Sequence, residues 1–284
     1  MVRRLGSLFV VIGALGLATV SASVPIASAA YPAPFAVQGG AGLSSLDASV
    51  HFVALKVGKN TQLNAVSTQG SATVSRTLPG QFGIATLTQA GLAGGLFHDG
   101  SAFVLQSMGL TSPSRFVIVG ANDLVPRQTI TLKGLFGFDA LSPDGSTLYL
   151  IQHTSRQAIE HYIVRAYDLS THTLLPGRVA DKAQKSWVMQ GWAVDRVTTA
   201  DGRWAFTLYT NPGGYPFVHA LDTVRGVAHC VGVPWRGDQN EPWNMRLALR
   251  PDGRSLAVNR QAGNGFVAID VSTWKISYLD GSGG

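Results

Sequence analysis

Cysteine and glutamate are nearly missing from this chain: Cys230 is the one thiol, and Glu160 and Glu241 are the two glutamates in 284 residues. One thiol excludes an internal disulfide, so cohesion has to come from packing. In the strand-like run 227–233, Cys230 reads as a small buried hydrophobe. Charged residues make up 13% of the chain, about half the usual quarter. No Gly-x-Ser-x-Gly, phosphate loop, His-Glu-x-x-His or cysteine pair is present, so the common nucleophile, nucleotide and zinc signatures are excluded. No basic run carries interleaved aromatics, which argues against a nucleic-acid partner. Helical periodicity of any length is also missing, which points to an all-β chain.

What the chain does have begins with an export address. Arg3 and Arg4 precede an apolar run from Leu5 to Val20, and Ala27-Ser28-Ala29 supplies small residues. Residues 1–30 read as a secretory signal peptide cleaved after Ala29 or Ala30; left uncleaved, the same run would be a membrane anchor. A lipoprotein is excluded, because Cys230 lies far from the signal. The expected location is secreted or extracytoplasmic, in periplasm or cell envelope, with no stable membrane span after cleavage. Loss of both arginines lowers the formal charge of +6 by two, leaving a mild preference for anionic surfaces such as an envelope polymer or lipid headgroups.

Residues 31–284 carry a repeat. Asp-Gly recurs in Phe97-His98-Asp99-Gly100, Ser142-Pro143-Asp144-Gly145, Thr199-Ala200-Asp201-Gly202 and Arg250-Pro251-Asp252-Gly253, with a degenerate copy at Leu46-Asp47-Ala48-Ser49. From Ala48 through the four glycines the steps are 52, 45, 57 and 51 residues. Periods of roughly 40–50 residues built from short strands mark β-propellers. The clearest unit reads Phe138–Leu141 as an innermost strand, a Pro-Asp-Gly turn, Thr147–Ile151 apolar on both faces, Tyr162–Tyr167, and Thr173–Leu175 at the rim. Sheets apolar on both faces are expected where blades sandwich one another. The prediction is a single all-β propeller of about five four-stranded blades. Gly145 and Gly253 should take positive φ in tight turns, Ala48 should have no need to, and Arg178–Met189 is long enough to hold a short helix.

Ser142-Pro143-Asp144-Gly145-Ser146-Thr147-Leu148-Tyr149 and Pro251-Asp252-Gly253-Arg254-Ser255-Leu256-Ala257-Val258 resemble TolB-type and YVTN-type repeats, relatives of the WD-repeat fold in exported bacterial proteins. Ala166-Tyr167-Asp168-Leu169-Ser170-Thr171 and Ala268-Ile269-Asp270-Val271-Ser272-Thr273 extend the likeness. It covers the chain after the signal, closely in the third and fifth units. The resemblance implies a propeller scaffold; such families include binding scaffolds, assembly partners and a few lactone hydrolases. Function then lies in loops.

Eight of the 16 acidic residues sit in the two recurrent turns, leaving few for acid–base chemistry. Before the fifth unit, Trp235 and Trp243 flank Asp238, Asn240 and Glu241, and Trp187 marks the matching entry to the fourth. Trp187, Trp235, Asp238, Glu241 and Trp243 are the candidate ligand-binding residues, a stacking platform with polar teeth for a sugar or peptide. Packing under the loop is the competing role for both indoles. His153, Glu160 and His161 share one loop without a recognised metal spacing. The leading reading is a secreted, non-enzymatic propeller binding a protein or glycan of the cell envelope through its loop face, with no cofactor and no metal. The alternative is a metal-dependent lactonase-like hydrolase at the channel mouth, with Asp139, Asp195, Asn244 and Glu241 as candidates by position.

Overall fold

A computed structural model describes residues 35–70, 72–181, 186–211, 214–235, 241–260 and 265–279. A two-residue strand, β1 (Ala36–Val37), comes first. Blade one follows as β2 (Leu43–Ser44), β3 (Val50–Val57), β4 (Asn60–Ser67) and β5 (Ala72–Pro79). Blade two is β6 (Phe82–Ala85), β7 (Ala102–Ser107), β8 (Ser114–Gly120) and β9 (Pro126–Leu132). Blade three is β10 (Leu135–Leu141), β11 (Thr147–His153), β12 (His161–Asp168), β13 (Thr173–Leu174) and β14 (Met189–Gln190). Blade four is β15 (Trp192–Thr198), β16 (Trp204–Thr210), β17 (Phe217–Asp222) and β18 (Val227–Gly232). Blade five is β19 (Arg246–Leu249), β20 (Ser255–Asn259), β21 (Gly265–Asp270) and β22 (Ile276–Tyr278). Every pairing within these sheets is antiparallel and runs in sequence order from the inner strand outward. The chain is therefore an all-β propeller of five blades, as its repeat predicts.

The Asp-Gly turns join inner to second strands, and all five share one geometry. Asp47, Asp99, Asp144, Asp201 and Asp252 each accept the backbone N–H two residues on, at 2.9–3.1 Å. The following residue is left-handed in each: φ is +72°, +68°, +71° and +64° at Gly100, Gly145, Gly202 and Gly253. Ala48 is left-handed too, at +55°, against the sequence expectation. The aspartate cap holds the turn even where glycine is missing, at the cost of a Cβ in a region that favours glycine.

Of the stretch expected to have room for a short helix, residues 182–185 lie outside the described residues. Among the described residues, 178–181 and 186–189 contain no helix. The fourth strand is laid down in pieces along β12: β13, a bridge from Val179 to Val164, and β14. Arg178 and Val179 therefore extend the sheet edge. Before blade five, the chain makes a 3-10 turn over Glu241–Asn244.

Four apolar clusters hold the blades together, each shared by two neighbours. They join blades one and two around Phe52 and Phe103, two and three around Phe116 and Phe136, three and four around Tyr149 and Phe217, and four and five around Phe206 and Leu256. Polar clamps accompany them. The Gln106 amide donates to the Phe136 carbonyl and accepts from the Phe138 N–H, and the Tyr149 hydroxyl donates to the Thr223 carbonyl at 2.8 Å.

No sheet combines strands from the two ends of the chain. Among the described residues, the apolar cluster of blade one and that of blade five are separate. The sheet faces outside those clusters differ in chemistry, and on the blade-five side Ala257 and Ala268 are buried. Blade one presents a polar ladder in which Gln62 bonds Ser75, Ser75 bonds Asn64, and Thr77 bonds Gln62. Blade five presents Ala248, Ala257, Ala268 and Ser277 in one register row.

Candidate functional site

The central channel is crossed twice. Strand β1 adds to the inner edge of β6, with Ala36 opposite Ala85 and Val37 opposite Ile84. Just before it, the Phe35 ring meets the His153 ring edge-on at 4.9 Å. Gly137 makes room for that ring, since a Cβ there would lie 3.1 Å from it. The second crossing is the β6–β7 connection, whose Gln89 N–H donates to the Ala193 carbonyl of blade four at 2.8 Å.

Between these crossings, a cleft enters the interface of blades three and four. Its walls include Phe35, Phe138, His153, Tyr162, Trp192 and Tyr209, and the space inside is about 570 Å³, part of it open to solvent. Asp139 stands at its floor. It is the extra residue of a β-bulge, because Phe138 faces Leu150 while Ala140 faces Tyr149. A bulge re-aims a side chain out of the alternation of the strand. The carboxylate meets the Arg196 guanidinium at 2.6 Å, with both side chains about 96% buried or more (4% and 3% exposed). Asp139 and Arg196 are the same position of successive blades, six residues before Gly145 and Gly202.

Several polar atoms here have no partner in hydrogen-bond geometry: Asp139 Oδ2, Arg196 Nε, His153 Nε2, Tyr162 Oη and Thr210 Oγ1. The Tyr162 hydroxyl faces that of Tyr209 without a well-formed bond. Burial raises both phenols well above their ordinary range and lowers the His153 imidazole, leaving it neutral. His153 Nδ1 lies 2.5 Å from the Ile159 carbonyl, which assigns the proton to Nδ1 and leaves Nε2 as an acceptor. Asp139 Oδ2 is an acceptor as well. The cleft is thus aromatic-walled, electrically balanced by its ion pair, and rich in acceptors that burial leaves unmet.

The candidate residues read from sequence take different places. Trp235 is 3% exposed and packs edge-on against Phe266 at 5.5 Å, with Arg260 5.0 Å above its ring. It belongs to the core between blades four and five, where Trp243 also packs, partly buried. Trp187 is 38% exposed and sits edge-on to Phe217, in a separate cluster. The three indoles do not form one platform. Asp238 and the Glu241 side chain lie outside the described residues.

Two acids of the alternative reading, Asp139 and Asp195, make contacts between blades. Asp139 is paired with Arg196, and Asp195 Oδ2 accepts the Leu247 N–H at 2.7 Å, tying blade four to blade five. Among the described residues no three His, Cys, Asp or Glu side chains are grouped to hold a metal ion. His153, weighed in sequence as a loop metal ligand, and Asp139, a candidate acid of the alternative reading, both line the cleft. Arg196 went unnamed, although its equivalence to Asp139 in the repeat is visible in the sequence.

Searches for relatives agree with the fold. No family model matches the sequence, and no curated protein matches it. Solved structures do resemble it. Hydrazine synthase from Kuenenia stuttgartiensis is similar at 16% identity and a TM-score of 0.51, over 87% of this chain and 66% of that one. A putative TolB from Agrobacterium tumefaciens is similar at 13% identity and 0.44, over 84% and 79%. The Cps50 (Swd1) β-propeller domain from Myceliophteria thermophila is similar at 10% and 0.48, over 86% and 72%. The chain spans 66% of the hydrazine synthase chain. At such identities the likeness concerns the fold alone.

Proposed function

We propose that this chain is an exported, non-catalytic propeller that binds a protein or glycan of the cell envelope, anchoring it in the cleft between blades three and four. The observation that carries this reading is the set of buried acceptors, His153 Nε2 and Asp139 Oδ2, on an aromatic-walled cleft of the loop face. Unmet buried acceptors call for a donor. A sugar hydroxyl, or an amide or hydroxyl side chain of a protein, supplies one without adding charge beside a paired carboxylate. The aromatic walls suit the apolar part of either ligand. Asp139 and Asp195, two of the acids expected of a lactonase-like site, are spent on blade contacts, which favours binding over hydrolysis.

The test uses His153→Leu and Tyr162→Phe in the protein lacking residues 1–30. Binding to a neutral glycan panel and to envelope proteins is compared with the parent by calorimetry. Loss of about tenfold in affinity in His153→Leu, roughly 1.4 kcal/mol, supports the cleft as anchor. A ligand held equally well by both variants would place binding elsewhere.

A further inference from the structure

On the opposite face, blades four and five part to leave a groove of about 780 Å³, open to solvent along its length. The same crevice between blades three and four is shut. There Gly226, left-handed at +63°, lies against the Tyr149 hydroxyl, which bonds the Thr223 carbonyl. The residue matching Gly226 in blade five is Trp274, four after the turn aspartate Asp270 as Gly226 is four after Asp222. Its backbone repeats the bond, Trp274 N–H to the Asp270 carbonyl at 2.8 Å, and its φ is +60°. The same turn is left-handed at Leu124 in blade two and His172 in blade three, at +55° and +57°, so this backbone belongs to the repeat and Trp274 differs in what its side chain presents.

The indole is half-buried and stacks on His229 at 4.5 Å and 27°. Trp204, where blade three has Thr147, meets it edge-on at 5.3 Å and stacks in turn on Phe206. Trp274, His229 and Trp204 form an aromatic wall of the groove, with Phe206 buried behind it. Three arginines line the groove. Arg203 is committed, since both Nε and Nη2 reach Asp222 Oδ2, at 3.2 and 2.9 Å. Arg225 and Arg254 are exposed, and among the described residues neither has a carboxylate partner.

We infer that this groove binds an acidic polysaccharide, one whose sugars carry carboxylate groups. The apolar C–H face of a pyranose packs on an indole, and a carboxylate takes two parallel bonds from a guanidinium. Two free guanidiniums beside this aromatic wall match a polymer with charges spaced between neutral faces. A nucleic-acid strand, with a charge at every phosphate, calls for a denser basic track than this rim supplies.

The test titrates the protein lacking residues 1–30 with a galacturonate hexamer, a neutral cello-oligosaccharide of equal length, and a single-stranded oligodeoxynucleotide, following tryptophan fluorescence and heat at low and moderate salt. The hexamer should bind and quench, weaken with salt, and exceed the neutral oligomer by at least tenfold. The exposed double variant Arg225→Gln/Arg254→Gln should lose at least tenfold and keep its cooperative melt. Trp274→Asn, which suits a left-handed residue, should lose both binding and quench. His153→Leu, on the other face, should bind the hexamer as the parent does. No binding by the parent, undiminished binding by the double arginine variant, or tighter binding of the oligonucleotide would each overturn the proposal.

Discussion

A single Cβ decides several of the turns. Ala48 carries one in the left-handed region at +55°, where an L side chain costs about 1–2 kcal/mol. Ala48→Gly should therefore raise stability by up to about 1 kcal/mol, offset by the extra freedom of glycine in the unfolded chain. The reverse change should cost unequally at two sites. A Cβ at Gly253 meets nothing within 4 Å, whereas one at Gly145 lies 2.9 Å from the Phe97 ring. Gly253→Val should cost about 1–3 kcal/mol and Gly145→Val clearly more, as read by paired denaturant melts. The buried pair is a sharper case. Arg196→Met strands the Asp139 carboxylate and should cost about 3–5 kcal/mol, much of it regained by adding Asp139→Leu. At this scale the sequence made the turns legible, because Asp-Gly is a local code whose hydrogen bonds close within five residues. It did not reveal that Trp235 is core, since an indole serves packing and stacking alike and burial depends on Phe266 and Arg260, supplied by another strand.

Among the strands, β17 carries the clearest titration. His219 is fully buried beside Cys230, its Nδ1 3.5 Å from the thiol sulfur. Burial is the main cause that lowers its pKa from 6.5 to about 4. The unfolded chain takes up a proton below pH 6.5 that the folded chain refuses until pH 4, so this stability is complete above 6.5 and drains away between the two values. His219→Phe should flatten the melting temperature across that window, and the slope that persists belongs to His153, which is lowered in the same direction. Below pH 4 a second loss should follow, as turn carboxylates such as Asp47 and Asp270, held at about 2 by hydroxyl and N–H donors, become protonated. Long strands such as β11 and β17 were readable from apolar runs of six or seven residues. Strands of two residues, β1 and β13 among them, were not: they exist through the edge they dock on, and nothing in Ala36-Val37 announces β6 as its partner. The bulge at Asp139 was hidden for the same reason, being a property of two strands in register.

Taken whole, the described residues form five consecutive blades, with apolar clusters joining four successive pairs of neighbours. The repeat period gave the number of blades; closure depends on contacts between the first and last, which no period encodes. A sealed ring fixes the sum of its interblade angles at a full turn, so no joint can yield unless another compensates. If the interface between blades five and one yields, the four joints act as hinges in series, as in a split spring washer, and small rotations at each add up at a slot between the Asn64 ladder and the Ala257 row. Spin labels at Asn64 and Ser277 should give a distance distribution broader than a pair spanning adjacent blades, such as Asn64 and Arg127; equal widths would mean that the slot is stiff. The two proposed sites, the cleft and the groove, sit on consecutive joints and on opposite faces. In a split washer, wedging one side of a joint pinches the other, so a ligand seated in either place would alter the curvature that the other one meets.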